Sequence, residues 1–145
     1  DRCAADYQGR ISGPFLDRID IRIDVPAVSA ADMIANGARG ESSADVAVRV
    51  AKAREIQRDR YAALLADTVF TNAAASSRLI EEVASPDAES QALLLKAAEA
   101  FSLSGRAYHR VLKVARTLAD LSGSAAVRKP HIAEALSYRL NMAGA

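Results

Sequence analysis

The chain has 145 residues, which is enough for one domain with a modest core or for part of a larger one. Its formal net charge at pH 7 is +1, so the overall charge favours no polyanionic partner, and no apolar run approaches the roughly 18 residues that a membrane span needs. The single cysteine, Cys3, excludes an intramolecular disulfide and, with no basic-then-apolar leader, predicts a cytoplasmic protein without membrane contact.

The first predicted element is a β-strand over residues 19–25, which follows a flexible arm over residues 1–18. Apolar and charged side chains alternate along this strand, so one face is apolar and the other is charged. A lone strand is not stable, because its backbone donors and acceptors need a ladder, and no partner strand is evident downstream. We therefore expect the strand either to pair outside this chain or to lie against the helices. The apolar face comprises Ile19, Ile21, Ile23 and Val25.

After a connector over residues 26–41, the chain predicts four or five helices. Hydrophobic residues make up 50% of the chain and aromatic residues only 5%, which favours helices packed closely through alanine. Ser43, Ser85 and Ser104 are the predicted N-caps, and Gly123 is the predicted C-terminal cap. The fold class is therefore mainly α, a helical bundle preceded by one orphan strand. The predicted helices span about 43–64, 76–84, 86–100, 104–121 and 129–140.

The first of these helices has a charged face, and two interpretations of it stay open. It is either a solvated face with local ion pairs or a basic ridge that faces nucleic acid or a neighbouring subunit. The charged residues are Arg49, Lys52, Arg54, Glu55, Arg58, Asp59 and Arg60.

The sequence contains no glycine-rich phosphate loop and no apolar strand that ends in paired acids. The parts that cradle phosphates and hold Mg²⁺ are therefore missing, and the chain alone should not hydrolyse ATP. His109 and His131 have no metal-ligand spacing, so we expect both to be surface or partly packed helix residues. Cys3 stands alone, so we predict no metal site.

Two arginines are candidate functional residues. Arg18 stands at the start of the strand, where its guanidinium could neutralise charge on a γ-phosphate or, alternatively, pair with Asp17 or Asp20. Arg106 lies in the first turn of a helix, where free amide donors and the helix dipole favour an anion.

The face that begins at Arg106 continues with two more basic side chains. Arg110 and Lys113 follow at four and seven residues, so the three share one side of the helix. The alternative interpretation is an exposed basic stripe without a ligand.

Two long motifs resemble the magnesium-chelatase-like AAA+ ATPases, a family that includes the competence-associated branch-migration helicases. Residues 12–20 read Ser-Gly-Pro-Phe-Leu-Asp-Arg-Ile-Asp and depart from that family's pattern only at Phe15. Residues 103–121 are similar to its second-sensor helix, with Gly105 in place of the more usual alanine. Residues 40–43 and 131–139 also resemble the family's sequence.

This resemblance implies that residues 1–41 are the end of an AAA+ core and that residues 42–145 form its C-terminal helical lid. It implies that Arg18 is an arginine finger that acts on the nucleotide of the adjacent subunit. Arg106 would be the sensor-2 arginine that acts on the nucleotide of its own subunit, with Arg110 as a further nucleotide-binding residue.

For the whole protein, the resemblance implies ATP and Mg²⁺ as cofactors, none of them bound to this chain alone. It implies two partners, the protein's own N-terminal ATPase core and further copies that form a ring, expected to be a hexamer. The expected substrate is DNA, as in the competence type, and the chelatase type would instead act on a partner subunit. Another alternative is a stand-alone helical module that docks on protein or DNA through the helix over 43–60.

Overall fold

The computed structural model of the chain describes residues 15, 17–23, 25, 27–29, 40–66 and 68–140. These residues form five α-helices and a short 3-10 turn, and they contain no strand. The prediction of a mainly α helical bundle is therefore confirmed. The helices are α1 (Ser43–Ala63), α2 (Ser77–Val83), α3 (Ala88–Ala100), α4 (Gly105–Leu121) and α5 (Lys129–Leu140), and the 3-10 turn is Asn72–Ala74.

Helix α4 is the centre of the bundle. It packs against α1, α2, α5 and the 3-10 turn, while α3 packs on α5. Ala107, Ala115 and Ala119 lie on its buried face, and their small side chains let the neighbouring helices approach closely. The larger buried apolar residues of the core are Tyr61, Ile80, Leu94, Val111, Leu112, Val114, Val127, Ile132 and Leu136.

Side-chain caps define where the helices begin. Ser104 caps α4 as predicted, because its Oγ accepts the Ala107 N–H at 3.1 Å. The cap predicted at Ser43 is wrong by one residue, since the preceding serine accepts the Asp45 N–H at 3.2 Å. A cap of this kind stabilises a helix by about 1 kcal/mol.

The start of α3 also differs from the prediction. Asp87, not Ser85, is its cap, because the Asp87 carboxylate accepts the Ser90 N–H at 2.8 Å. Pro86 lies outside the helix and forms an isolated parallel bridge with Val127. The end of α4 matches the prediction, since Gly123 follows it with a φ of +68°, which costs glycine no steric strain.

The strand predicted over 19–25 is the main error, because the described residues in that range form no strand. The Arg22 N–H instead donates to the carbonyl oxygen of Tyr138 at 2.9 Å, so the segment lies against α5. The physical reason is that the described residues offer no second strand to form a ladder. We expected the segment either to pair outside this chain or to lie against the helices, and in the structure it lies against a helix. Most of the flexible arm predicted over 1–18 lies outside the described residues.

Candidate anion-binding site

A buried polar cluster fixes α4 against α1 and the 3-10 turn. At its centre the Asp120 carboxylate, whose side chain is fully buried, accepts hydrogen bonds from Arg60, Arg116 and Asn72. The distances are 3.0 Å from Arg60 Nη1, 3.1 Å from Arg116 Nε and 2.9 Å from Asn72 Nδ2. The remaining Arg116 donors reach the carbonyls of Ser124 and Ala125. Such a charge is tolerated in a core only when it is paired this fully.

Asn72 joins the same cluster to further residues of α1 and α4. Its Oδ1 accepts the Tyr61 hydroxyl at 2.9 Å, its Nδ2 donates to Thr117 Oγ1 at 3.0 Å, and its backbone N–H donates to Gln57 at 3.2 Å. Burial raises the pKa of the Tyr61 hydroxyl, so this group stays a neutral donor. Asn72 is therefore a buried residue that links α1, the 3-10 turn and α4.

An open cleft of about 520 Å³ lies along the N-terminal half of α4. Arg106, Arg110 and Lys113 all line it, so the three basic residues predicted on one helix face do meet one cavity. Ser77 and Ala73 form the opposite side.

At the N-terminus of α4, the backbone is exposed in the cleft. Gly105 is the first residue of α4, and a Cβ there would meet nothing within 4 Å. The first N–H groups of α4 lie at this end, and together with the helix dipole they favour an anion. An arginine one residue later adds a planar guanidinium that can bind two phosphate oxygens at once.

The three basic side chains differ in how they are engaged. Arg110 forms an ion pair with Asp20, and Lys113 Nζ donates to the carbonyl oxygen of Ala73 at 2.8 Å. Burial lowers the pKa of Lys113, a shift that nearby Asp20 opposes. Arg106 is exposed and has no ion-pair partner among the described residues, so its charge is available to a ligand.

His109 closes one end of the cleft. Its ring lies between two oxygens, with Nδ1 2.6 Å from the carbonyl oxygen of Gly105 and Nε2 2.8 Å from Glu81 Oε1. The imidazole thus connects α4 to α2. The prediction that His109 is a partly packed helix residue is confirmed.

Arg18 lies outside this cleft. Its side chain is exposed, and its backbone N–H donates to the Phe15 carbonyl oxygen at 2.9 Å in a turn. Pairing with Asp17 or Asp20, the alternative expected from sequence, does not occur, because those carboxylates bind Arg139 and Arg110. The structure therefore does not bring Arg18 and Arg106 into one cavity, and neither guanidinium enters the helical core.

The charged face of α1 is only partly a free basic surface. Arg49 pairs with Glu41, and Arg60 turns inward to Asp120. Lys52, Arg54 and Arg58 remain exposed. Local ion pairs, the first of the two interpretations above, account for part of this face.

Within the part of the chain that the structure describes, no group of three or more His, Cys, Asp or Glu side chains could hold a metal ion. Cys3 lies outside those residues. None of the described helices is both long enough and apolar enough to cross a membrane.

Sequence reasoning missed the cluster around Asp120. The available signal was that Arg116 and Asp120 are four residues apart on the helix that carries Arg106, which places them on one face. Their partners Arg60 and Asn72 are distant in sequence, so nothing local indicated them.

Comparison with known protein families covers both parts of the chain. Residues 40–139 match the family described as magnesium chelatase, subunit ChlI C-terminal, and residues 1–33 match magnesium chelatase, subunit ChlI. The first match includes all of α1 to α4 and the cleft residues on them, and the second includes Asp20, which also lines the cleft.

The chain is also similar to curated proteins from several bacteria. The chain is 44% identical over 133 residues to Competence protein ComM of Haemophilus influenzae, a match that covers 92% of this chain and 25% of that protein. It is 37% identical over 143 residues to the protein YifB of Escherichia coli K12, covering 96% of this chain and 27% of that protein. It is also 37% identical over 133 residues to Rv2897c of Mycobacterium tuberculosis, a match that covers 92% of this chain and 25% of that protein. The chain thus spans about a quarter of the length of these relatives, and it belongs to the magnesium-chelatase-like family.

Proposed function

We propose that this chain is the C-terminal, lid-bearing part of a magnesium-chelatase-like AAA+ ATPase and that its cleft receives the phosphates of ATP. The observation that carries the proposal is the basic cleft at the start of α4, with Arg106 exposed and without an ion-pair partner among the described residues. Family membership supports an ATPase role for the whole protein.

In this proposal Arg106 is the sensor-2 arginine and Arg110 is a further nucleotide-binding residue. ATP hydrolysis builds negative charge on the phosphate oxygens, and a fixed guanidinium at a helix N-terminus stabilises that charge. Lys113 lies farther along the same cleft, where it adds positive charge. Mg²⁺ would be held by the protein's own N-terminal ATPase core, because the described residues offer no carboxylate cluster for it.

Arg18 is proposed to act on the nucleotide of a neighbouring subunit. Its exposure in a turn, outside the cleft that holds Arg106, supports a role at a surface between subunits. A ring, expected to be a hexamer, gives every subunit one such neighbour, because a closed set of head-to-tail contacts repeats the same interface between every adjacent pair.

We propose DNA as the substrate of the whole protein. The support is the 44% identity to a relative named as a competence protein, together with the exposed basic side chains of Lys52, Arg54 and Arg58 on α1. The same α1 surface supports the second candidate, a helical module that docks on protein or DNA without a role in ATP hydrolysis.

The test is steady-state ATP hydrolysis by the longer protein that carries the ATPase core. Arg106→Ala should lower the rate by about a hundredfold or more, as loss of one transition-state donor does elsewhere. Arg128→Ala is the matched control, because that arginine is exposed just before α5 and does not line the cleft, and the rate of this variant should be unchanged. Wild-type turnover by Arg106→Ala would overturn its assignment. The present chain alone should show no turnover.

A further inference from the structure

The segment that carries Arg18 is fastened to the lid by a set of polar contacts. The Asp17 carboxylate accepts Arg139 Nη2 at 2.6 Å and the Ser104 hydroxyl at 3.0 Å. Asp20 forms an ion pair with Arg110. Carboxylates on both sides of the arginine therefore hold it to α4 and α5.

Apolar packing contributes little to this attachment. Ile21 and Ile23 are 48% and 68% exposed. Both also line a cavity of about 360 Å³ between the segment and the side chains of Val114, Leu118 and Tyr138. Because about half or more of each isoleucine stays exposed to water, the polar bonds are the main restraint on the segment.

One of these bonds lies inside the proposed phosphate site. Arg110 and Asp20 both line the basic cleft. The Asp20 carboxylate therefore pairs with the same Arg110 guanidinium that a phosphate in the cleft would bind. Both anions bind arginine through the same fork of N–H donors, and two anions bound to one guanidinium repel each other. Phosphate and Asp20 therefore compete for Arg110.

We propose that Asp20 and Arg110 form an electrostatic latch that couples phosphate binding in the cleft to release of the segment bearing Arg18. The latch is closed when Asp20 occupies Arg110. Phosphate displaces the carboxylate and removes the Arg110 restraint, while Asp17, the bond from Arg139 Nη1 to the Ile19 carbonyl oxygen at 3.3 Å and the Arg22–Tyr138 backbone bond remain. This inference rests on the proposed function, because it requires that the cleft binds phosphate.

Coupling between phosphate binding and release of the segment is reciprocal, so it can be measured both as phosphate affinity and as mobility of the segment. If phosphate loosens the segment, then loosening the segment must strengthen phosphate binding by the same factor. Asp20→Asn removes the competing charge, and it should tighten binding of inorganic tripolyphosphate by about two- to fivefold, as expected for a partly exposed ion pair. Asp59→Asn is the matched control, because it removes the same charge from an exposed position on α1.

The second readout is hydrogen exchange at the Arg22 amide, which is bonded to Tyr138. Titration of the 145-residue chain with tripolyphosphate, followed by NMR, should speed exchange at Arg22 in wild type and in Asp59→Asn. In Asp20→Asn, exchange at Arg22 should already be fast before ligand is added. The amide of Ala115, in the middle of α4, should not respond in any variant.

The outcomes separate the latch from the function on which it rests. Binding that shifts the Arg106 resonances but is equally tight in Asp20→Asn, or that leaves Arg22 exchange unchanged, overturns the latch and leaves the phosphate site standing. Absence of binding to both wild type and Asp20→Asn overturns phosphate recognition by the cleft, and the latch with it. Tighter binding in Asp20→Asn together with faster exchange at Arg22 supports the latch.

Discussion

Replacing Asp120 by alanine should destabilise the bundle more than any exposed charge substitution. The Asp120 carboxylate accepts bonds from Arg60, Arg116 and Asn72, and its side chain has no exposed surface. Removing one partner of a buried ion pair typically costs about 3–5 kcal/mol, because a charge stays buried without compensation.

The lower end of that range applies here, for two reasons. The Arg60 side chain is 19% exposed and can turn towards water, and Arg116 keeps its bonds to two carbonyl oxygens, one of them at 2.6 Å. We therefore expect Asp120→Ala to lower the free energy of unfolding by about 3 kcal/mol. Asp120→Asn keeps the shape but removes the charge and turns an acceptor into a donor, so it should also be destabilising.

The assay is urea unfolding followed by far-UV circular dichroism, which reports the loss of the five helices. Asp59→Ala is the control, since an exposed aspartate should change stability by no more than about 0.5 kcal/mol. A loss of less than about 1 kcal/mol in Asp120→Ala, at an unchanged slope with urea, would refute the view that this carboxylate holds α4 against α1.

Two further predictions concern the ends of helices. Ser104→Ala removes the cap of α4 and one bond to Asp17, so urea unfolding should show a loss of about 1 kcal/mol; an unchanged midpoint would contradict it. Burial lowers the pKa of His131 from its ordinary value of 6.5, and its Nδ1 accepts the Arg128 N–H at 3.0 Å. The unfolded state therefore binds this proton more readily, so the stability present above pH 6.5 should be lost as the pH falls through the lowered pKa. His131→Gln should flatten this part of the curve of unfolding free energy against pH, and an unaltered curve would argue against it.

The helices were predictable because local signals fix them. The serine and glycine that bound α4, at positions 104 and 123, each act through their own backbone neighbourhood, and the periodic apolar pattern between them needs no distant partner. The caps at Ser43 and Ser85 were wrong because a second capping residue stands one position before Ser43 and two positions after Ser85, and hydrogen-bond geometry selects between the two candidates.

The strand was wrong for a different reason. Alternation over residues 19–25 describes which side chains share a face, but a strand also requires a partner that sequence periodicity does not supply. The basic face of α4 was predicted correctly, because Arg106, Arg110 and Lys113 follow helical spacing. The ion pair of Arg110 with Asp20 joins residues 90 positions apart, and no local pattern indicates it.

Arg106 is proposed to serve its own subunit's nucleotide and Arg18 the nucleotide of a neighbour, and complementation between two inactive proteins can separate these two roles. Rings of the longer protein made only of Arg18→Ala subunits, or only of Arg106→Ala subunits, should be nearly inactive. In an equal mixture, some interfaces join an intact Arg106 to a neighbour's intact Arg18, and random assembly should restore about a quarter of the wild-type ATPase rate. A mixture as inactive as its two components would contradict the account.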